Sequence, residues 1–172
     1  MDAFEMLTGR RSCRAYTAEP VAESDIEKVV EAGTFAPSGM GRQPWHFVVV
    51  TNPDDVAELS RMNARIMGSS GDPFYGAGTV VVVLVDPDVP TCVEDGSLAI
   101  GNMLNAAHAL GLGSCWIHRA FEEFDSTEGK ALLRKWGVEG DWRGVGHVIL
   151  GHAAKPAGEA APRKEGLVTR VR

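Results

Sequence analysis

A compact set of hydrogen-bond donors with the chemistry of an anion site lies near the N-terminus, in the segment Arg10-Arg11-Ser12-Cys13-Arg14. Its three guanidinium groups and one hydroxyl fall within five consecutive residues. A guanidinium presents a planar fork of N–H donors that matches the oxygens of a phosphate. Because three arginines flank one serine, the segment favours anion binding, and a solvated basic turn is the alternative.

A loop of unusual composition, residues 36–47, is the second candidate for a binding site. It contains two prolines, two glycines and Trp45, and it leads directly into a strand-like apolar run. Prolines stiffen a loop, and glycines let backbone N–H groups approach a flat or anionic ligand closely. The loop therefore predicts one wall of a site, with a plain helix-to-strand connection as the alternative.

Other catalytic schemes find little support in this sequence. The five histidines lack the spacing of a zinc site, and neither an HExxH nor a GxSxG motif is present. No glycine-rich motif follows the strand–GxGxxG–helix order of a dinucleotide site. Cys13, Cys92 and Cys115 are odd in number and widely spaced, which predicts reduced thiols in a cytoplasmic protein. We expect no metal site and no catalytic side chain.

Phosphate donors without a complete set of catalytic side chains are typical of a protein whose bound cofactor supplies the reactivity. Flavin mononucleotide (FMN) fits this profile. Its phosphate requires arginine and serine donors, its pyrimidine edge requires amide donors, and its isoalloxazine ring requires an apolar platform. The sequence therefore predicts an FMN site.

Composition limits the classes of partner. The chain has 172 residues, 44% of them hydrophobic, which is typical of one globular domain, here residues 1–172, or of a domain completed by a second copy. Its net charge of −6 argues against nucleic acid and membrane surfaces as partners. No apolar run reaches transmembrane length and no signal-peptide core is found, so we expect a cytoplasmic protein.

The apolar periodicities predict a layered α+β fold in which helices position the two candidate segments. Ser24 and Glu27 form a capping box for one helix, and Asn52 caps another. A continuously apolar run, residues 79–85, predicts a central strand buried on both faces. A helix over residues 95–110 is apolar on all sides, which suggests that a second subunit covers part of it. The other predicted elements are helices at 3–8 and from 125 or 126, and strands at 46–51, 114–119 and 145–150.

Two further segments have alternative interpretations. Residues 68–78 carry Phe74 and Tyr75, which either face a substrate from a mobile lid or anchor the loop to the core. Residues 152–172 form a C-terminal extension whose last residues alternate as in a strand. They predict an arm that pairs with another subunit, with a disordered end as the alternative.

In the order and spacing of its motifs, the chain resembles the nitroreductase family of flavin enzymes over nearly its whole length. The resemblance implies a nitroreductase-like α+β fold with a central, mostly antiparallel sheet flanked by helices. It also implies an intertwined homodimer, with FMN at the subunit interface and a C-terminal arm around the partner. The matching motifs are RRSCR at 10–14, PSG at 37–39, QPWHF at 43–47, the loop 72–78, GLG at 111–113 and PRK at 162–164.

The resemblance also implies roles for individual residues. The N-terminal donors and the late Arg-Lys pair would hold the phosphate and ribityl chain. The PSG segment would come from the other subunit, and residues 116–118 would lie along the ring, with a backbone N–H near the hydride-accepting nitrogen. Gly41 stands where the family pattern usually has Asn, so one contact is lost or supplied elsewhere. The cofactor-binding residues implied are Arg10, Arg11, Ser12, Arg14, Pro37, Ser38, Gly39, Gly41, Trp116, Ile117, His118, Arg163 and Lys164.

The activity implied is that of an FMN-dependent oxidoreductase. Reduced nicotinamide, NAD(P)H, would reduce a nitroaromatic, quinone or flavin-like acceptor by a ping-pong mechanism. Most of the excursion that often caps the family's site is missing, so the pocket would either be more open or be shaped by residues 62–75, with Phe74 and Tyr75 as substrate contacts. The alternatives are a flavin-consuming or dehalogenating reductase of the same fold and a flavin-binding module without turnover.

Overall fold

The computed structural model describes residues 2–172, and within them four strands form one sheet. The strands are β1 (Trp45–Val50), β2 (Thr79–Val85), β3 (Gly113–Ile117) and β4 (Arg143–Gly151), in the spatial order β1-β2-β4-β3. All three pairs of neighbouring strands are antiparallel. The predicted α+β fold with a mostly antiparallel sheet is confirmed.

Strand β2 lies at the centre of the core, as its sequence predicts. All seven of its residues are buried. Even-numbered residues from Val80 to Leu84 pack into one apolar cluster, and odd-numbered residues from Val81 to Val85 pack into the cluster on the opposite face. Successive side chains of a strand point to opposite faces, so a sheet that is covered on both sides requires a continuous apolar run.

Six helices accompany the sheet within residues 2–172. They are α1 (Ala3–Gly9), α2 (Glu23–Thr34), α3 (Pro53–Met67), α4 (Cys92–Ala109), α5 (Ala120–Asp125) and α6 (Thr127–Lys135), and a 3₁₀ turn spans Gly39–Gly41. Asp2, Asn52 and Ser126 cap α1, α3 and α6 through their side chains. These caps give α1 and α3 the starting points that the sequence predicts.

The predicted capping box of α2 is wrong. This helix begins at Glu23, and its N-cap residue, Ala22, makes no side-chain hydrogen bond. Ser24 therefore lies inside the first turn, where the backbone is helical and the extended conformation of an N-cap residue is not available. Glu23 and Asp25 place negative charge in that turn, where the helix dipole favours it.

Strand β3 ends two residues earlier than predicted, at Ile117. Arg119 has a φ of +80°, a left-handed conformation that turns the chain out of the strand. Helix α5 follows at once, and its six residues are too few for apolar periodicity to detect.

The two ends of the chain contribute little to the core. Helix α1 has no buried residue, and its apolar Phe4 and Leu7 are 75% and 59% exposed. Residues 153–172 are exposed throughout. Residues 168–171 form no strand within the single chain, so their predicted pairing with another subunit stays a prediction. None of the helices within residues 2–172 combines the length and the hydropathy needed to cross a bilayer.

Candidate functional site

The N-terminal donor segment is extended and tied to the sheet. Ser12 forms an isolated parallel bridge with Ser114 of β3, and the backbone N–H of Cys13 donates to the Ser114 carbonyl at 2.9 Å. Tyr16 bridges to Ala153, just beyond β4. The sheet thus holds the arginines in place although they lie in no regular element.

Tyr16 supports this segment from the core side. Its ring packs into one of the apolar clusters, and its hydroxyl donates to the Cys13 carbonyl at 3.0 Å. Burial raises the pKa of the Tyr16 hydroxyl well above its usual range, and the nearby Cys13 and Cys115 add to the rise. The hydroxyl therefore stays protonated and keeps this hydrogen bond.

Two guanidinium atoms in the segment fit an anion. Arg10 Nη1 and Arg11 Nε are buried, and neither has a hydrogen-bond partner among residues 2–172. A buried charged donor without a partner is unfavourable, so such atoms indicate a ligand with oxygen acceptors. Arg11 Nη1 is held by the carbonyl of Thr8 at 2.8 Å, which fixes the direction of its side chain. Ser12 and Arg14 are exposed.

A cavity of about 360 Å³ adjoins the donor segment. Arg11 and Ser12 line it from the N-terminal side, and His108, at the end of α4, lines it together with Lys155 of the C-terminal extension. The Gly111-Leu112-Gly113 turn, which the resemblance singled out, forms part of the same wall. The cavity therefore gathers further groups able to carry positive charge, as the phosphate end of a nucleotide site requires.

The loop that carries Pro37, Ser38 and Gly39 is anchored to the start of α4. The Gly39 N–H donates to Asp95 Oδ1 at 2.9 Å, and the Thr91 hydroxyl donates to Asp95 Oδ2 at 2.8 Å. Asp95 is only 3% exposed. A Cβ atom on Gly39 would lie 2.3 Å from Thr91 Oγ1, so only glycine permits this close approach.

The backbone conformation of Gly41 explains why glycine can stand where the family pattern usually has asparagine. Its φ is +68°, and no atom lies within 4 Å of the position of a Cβ. Glycine and asparagine are the residues that most readily adopt this left-handed conformation. The backbone of the loop therefore accepts glycine where the family pattern usually has asparagine. Ser38 Oγ closes the loop by accepting the Gln43 N–H at 3.0 Å.

Side chains at the end of β3 alternate between the core and the surface. Ile117 is buried in an apolar cluster, so only its backbone is available to a ligand. Trp116 is 38% exposed and packs so closely on Gly146 that a Cβ there would lie 2.1 Å from its Nε1. His118 is exposed, and its carbonyl accepts Asn63 Nδ2 of α3 at 2.7 Å.

Phe74 and Tyr75 have different environments. Phe74 is 1% exposed, and its ring lies 5.4 Å from that of His147 in the core. For Phe74 the structure therefore favours the anchoring interpretation over contact with a substrate. Tyr75 is 40% exposed and has a φ of +55°. Asp72 stabilises the turn between them by accepting the N–H groups of Phe74 and Gly76.

The family of the chain follows from comparison with known proteins. The sequence model described as "Nitroreductase family" matches residues 7–152. The chain belongs to the nitroreductase family. Within residues 2–172, no cluster of three or more His, Cys, Asp or Glu side chains could bind a metal ion.

Individual relatives support membership of the nitroreductase family. A nitroreductase with bound FMN from Bacteroides fragilis is 32% identical and has a TM-score of 0.90 over 100% of both chains. A protein of Archaeoglobus fulgidus, provisionally named NADH dehydrogenase/NAD(P)H nitroreductase, is 34% identical over 121 residues, 67% of each chain. Iodotyrosine deiodinase 1 of Rattus norvegicus is 47% identical over 51 residues, 30% of this chain and 18% of the deiodinase.

The structure brings together some of the residues predicted for the site and separates others. The N-terminal donors lie beside the 111–113 turn and the start of β3. Arg163 and Lys164 lie in the exposed extension, where Arg163 donates to the Ala161 carbonyl. The loop around Gly39 is fixed near Asp95, whereas the donors lie near His108. These two anchors are thirteen positions apart along α4, which corresponds to about 20 Å.

Four residues of this region lie in no motif that marks them in the sequence: Asn63, Asp95, His108 and Lys155. Asp95 and Asn63 act through hydrogen bonds to loops distant in sequence. His108 lies at the end of a mostly apolar helix, in no motif that marks it as a residue of the cavity. The one local signal available was the polarity of Asn63 and Asp95 on faces that are otherwise apolar.

Proposed function

We propose that the chain is an FMN-dependent oxidoreductase that uses NAD(P)H to reduce a small electron-poor aromatic acceptor. The observation that carries this proposal is the pair of buried guanidinium atoms, Arg10 Nη1 and Arg11 Nε, without a protein partner in the described chain. They lie in the segment to which the family resemblance assigns the flavin phosphate. The relative from Bacteroides fragilis, which holds FMN, supports the choice of cofactor.

The phosphate end would be held by the N-terminal donors. Arg10 and Arg11 would offer their unpartnered N–H groups, and Ser12 and Arg14 would add a hydroxyl and a third positive charge from the exposed side. Charge-assisted hydrogen bonds of this kind are stronger than neutral ones. Arg163 and Lys164 would approach the phosphate only if the extension folds back or comes from a second subunit.

When bound, FMN would take a hydride from NAD(P)H and pass electrons to the acceptor in a second half-reaction, which is a ping-pong mechanism. The chain positions the reactants and supplies electrostatic stabilisation. Trp116, Ile117 and His118 would present their backbone and one exposed ring to the flavin. Tyr75, which is half-exposed on the loop beside α3, is the remaining candidate for contact with the acceptor, and residues 62–75 would form the lid.

We further propose that the enzyme is a homodimer and that each site uses both subunits. The unburied α1, with Phe4 and Leu7 exposed, and Leu98 of α4, 47% exposed, offer an apolar surface for a second copy. The separation of about 20 Å between the Gly39 anchor and the donors favours donation of Pro37, Ser38, Gly39 and Gly41 to the partner's site. Residues 1–172 would form one FMN-binding domain, with 152–172 as an arm around the partner.

The cytoplasm is the proposed location, because Cys13, Cys92 and Cys115 are all free thiols. A dehalogenating reductase is the second candidate function, and the local similarity to rat iodotyrosine deiodinase 1 is the observation in its favour. That similarity covers 30% of the chain, so it ranks below the nitroreductase proposal.

A visible spectrum of the purified protein tests this proposal. We expect a yellow protein, or one that becomes yellow on titration with FMN, and its colour should bleach when NADH or NADPH is added anaerobically. A nitroaromatic or quinone should then restore the colour, with parallel double-reciprocal plots in steady state. Iodide release from an iodinated phenol without nitroaromatic turnover would support the dehalogenase instead. A protein that binds no FMN would exclude both.

Replacement of Arg10 by alanine tests the phosphate end. We expect FMN to bind about 10- to 100-fold more weakly, because a charge-assisted hydrogen bond contributes about 1.5–3 kcal/mol. The midpoint of thermal unfolding without FMN should change little. Arg134→Ala, at an exposed position on α6, is the control and should leave FMN affinity unchanged. Equal losses of stability and affinity in Arg10→Ala would make the segment structural.

A further inference from the structure

We propose that Asn63 and Arg119 are positioning residues that hold the end of β3 in the conformation it needs to face the flavin. This inference rests on the proposed function, which places residues 116–118 along the flavin ring. Neither residue belongs to the donor segment, to the Gly39 loop or to the family motifs. Their role follows from one strained backbone angle and three hydrogen bonds.

Arg119 occupies a backbone conformation that its side chain disfavours. Its φ is +80° and its ψ is 6°, in the left-handed region where a Cβ atom clashes with the backbone and glycine is preferred. This residue comes two positions after β3 and serves as the N-cap of α5, so the turn at Arg119 sets the direction in which the chain leaves the sheet. Such strain persists only where surrounding contacts determine it strongly.

Asn63 supplies those contacts from α3. Its amide is completely buried and uses both ends: Nδ2 donates to the His118 carbonyl at 2.7 Å, and Oδ1 accepts Arg119 Nε at 2.9 Å. The side chain of Asn63 therefore forms hydrogen bonds with two consecutive residues that lie more than fifty positions away in sequence. A buried amide with both ends satisfied permits only one orientation of the groups it binds.

The peptide group between His118 and Arg119 is engaged on both sides. Its carbonyl accepts Asn63 Nδ2, and its N–H donates to His118 Nδ1 at 2.5 Å. This peptide is therefore a support within the protein, and the N–H of Arg119 is not the donor for the flavin. The clasp formed by Asn63 and Arg119 instead orients the preceding peptide, whose N–H belongs to His118.

Helix α3 is a suitable base for this clasp. It is capped by Asn52, begins with Pro53 and ends in a left-handed Gly68, so both of its ends are fixed. Asn63 lies on its buried face beside Met62 and Ala64. A displacement of a reacting group by about 1 Å can lower a rate by about 100-fold, so the rigidity of such a support bears directly on hydride transfer.

The test uses the FMN-loaded protein and the variants Asn63→Leu, Arg119→Gly and their combination. For Asn63→Leu we expect anaerobic flavin reduction by NADH or NADPH to slow by about 10- to 100-fold. Amide hydrogen exchange within residues 116–120 should accelerate, and the visible band of bound FMN should shift. The combination should reduce its flavin at least about threefold faster than Asn63→Leu alone, because glycine adopts a positive φ without support.

Asn102→Leu is the matched control. Asn102 donates from its side-chain amide to the Ala32 carbonyl at 3.1 Å and joins α4 to α2, and within residues 2–172 its side chain makes no hydrogen bond to residues 116–120. We expect it to lower the unfolding midpoint and to leave exchange in residues 116–120 unchanged. If Asn63→Leu does not fold, Arg119→Lys keeps the charge, loses the Nε donor and should show the same slower reduction and faster exchange.

Reduction and exchange within twofold of the parent protein, in Asn63→Leu or in Arg119→Lys, would overturn the inference. A combined variant that reduces its flavin no faster than Asn63→Leu would also overturn the inference. If Asn63 only stabilised the fold, glycine at position 119 would not restore the rate of flavin reduction. Failure of the parent protein to bind or reduce FMN would instead overturn the proposed function. Hydrogen exchange in the isolated protein would still report on the clasp in that case.

Discussion

Four non-glycine residues within residues 2–172 have a positive backbone φ: Met40, Gln43, Tyr75 and Arg119. Met40 and Gln43 lie in the loop that carries Gly39, Tyr75 lies in the proposed lid, and Arg119 follows directly after residues 116–118. Conformations of this kind are unfavourable by about 1–3 kcal/mol each and cluster at functional sites. All four therefore lie in or next to segments of the proposed site.

At the scale of the residue, Gly39→Ala should damage the loop wall. A Cβ there would lie 2.3 Å from Thr91 Oγ1, so the loop must move and the hydrogen bond from Gly39 to Asp95 must lengthen. Loss of a partner for a buried carboxylate is unfavourable by about 1–3 kcal/mol. We expect FMN affinity, measured by fluorescence titration, to fall about 10-fold.

Gly78→Ala provides the comparison for this prediction, because nothing lies within 4 Å of its Cβ position and its φ is not positive. It should bind FMN like the parent protein. Equal affinity of Gly39→Ala and the parent protein would show that the anchored loop plays no part in cofactor binding.

At the scale of the element, α4 holds the Gly39 loop at one end and lines the donor cavity at the other, and α3 supports the end of β3. Helix α3 is itself joined to α6, because Lys135 and Trp136 both donate to Asp55, and Arg65 pairs with Glu128. The hydrogen bond from Lys135 lowers the pKa of Asp55, and the hydrogen bond from Arg65 lowers the pKa of Glu128, in each case against the opposing effect of burial.

These shifts predict how the helix pair responds to acid. Because both folded-state pKa values are lowered, the stabilisation is complete above the ordinary pKa values of 3.8 for Asp55 and 4.5 for Glu128 and is lost as pH falls through the folded values. The groups are partly exposed, so each contributes less than about 1 kcal/mol. Asp55→Asn should lower the free energy of unfolding at pH 7 and have a smaller effect at pH 3, by urea denaturation.

Asp88→Asn changes an exposed loop carboxylate and should have the same small effect at both pH values. If the effect of Asp55→Asn does not depend on pH, the contacts of Asp55 contribute through packing and not through charge.

At the scale of the whole molecule, the exposed apolar residues favour assembly. Leu167, Val168 and Val171 of the extension are 69%, 74% and 94% exposed, and α1 has no buried residue. A lone chain gains nothing from apolar side chains in water, whereas burial against a second copy would contribute about 25 cal/mol per Å². The proposed homodimer gives each of these segments a function.

Truncation after Ala161 should therefore weaken the dimer by at least about 10-fold in dissociation constant, because the apolar end of the arm is removed. Sedimentation velocity over a range of concentrations measures this. Joint replacement of Leu167, Val168 and Val171 by serine keeps the length and the basic residues and should have the same effect. An unchanged profile for both proteins would exclude the arm.

The fold was largely predictable from sequence because its determinants are local. The caps at Asp2 and Asn52 act on backbone groups two or three residues away, and the unbroken apolar run of β2 reports burial on both faces. The errors arose where a local pattern had competitors. Ser24 lies inside α2 because that helix starts two residues earlier than a cap at Ser24 would place it, and β3 ends at Ile117 because the left-handed Arg119 turns the chain out of the strand.

The sequence by itself determined the donor segment at residues 10–14, the central strand and the family to which the motifs belong. Only the tertiary structure decided that Asp95 holds Gly39, that Asn63 holds Arg119 and that Phe74 belongs to the core. The physical reason is the separation in sequence between the groups that interact. Periodicity and capping report contacts within a few residues, whereas these hydrogen bonds join groups 56 positions apart, and no local pattern encodes which distant loop a buried amide or carboxylate will meet.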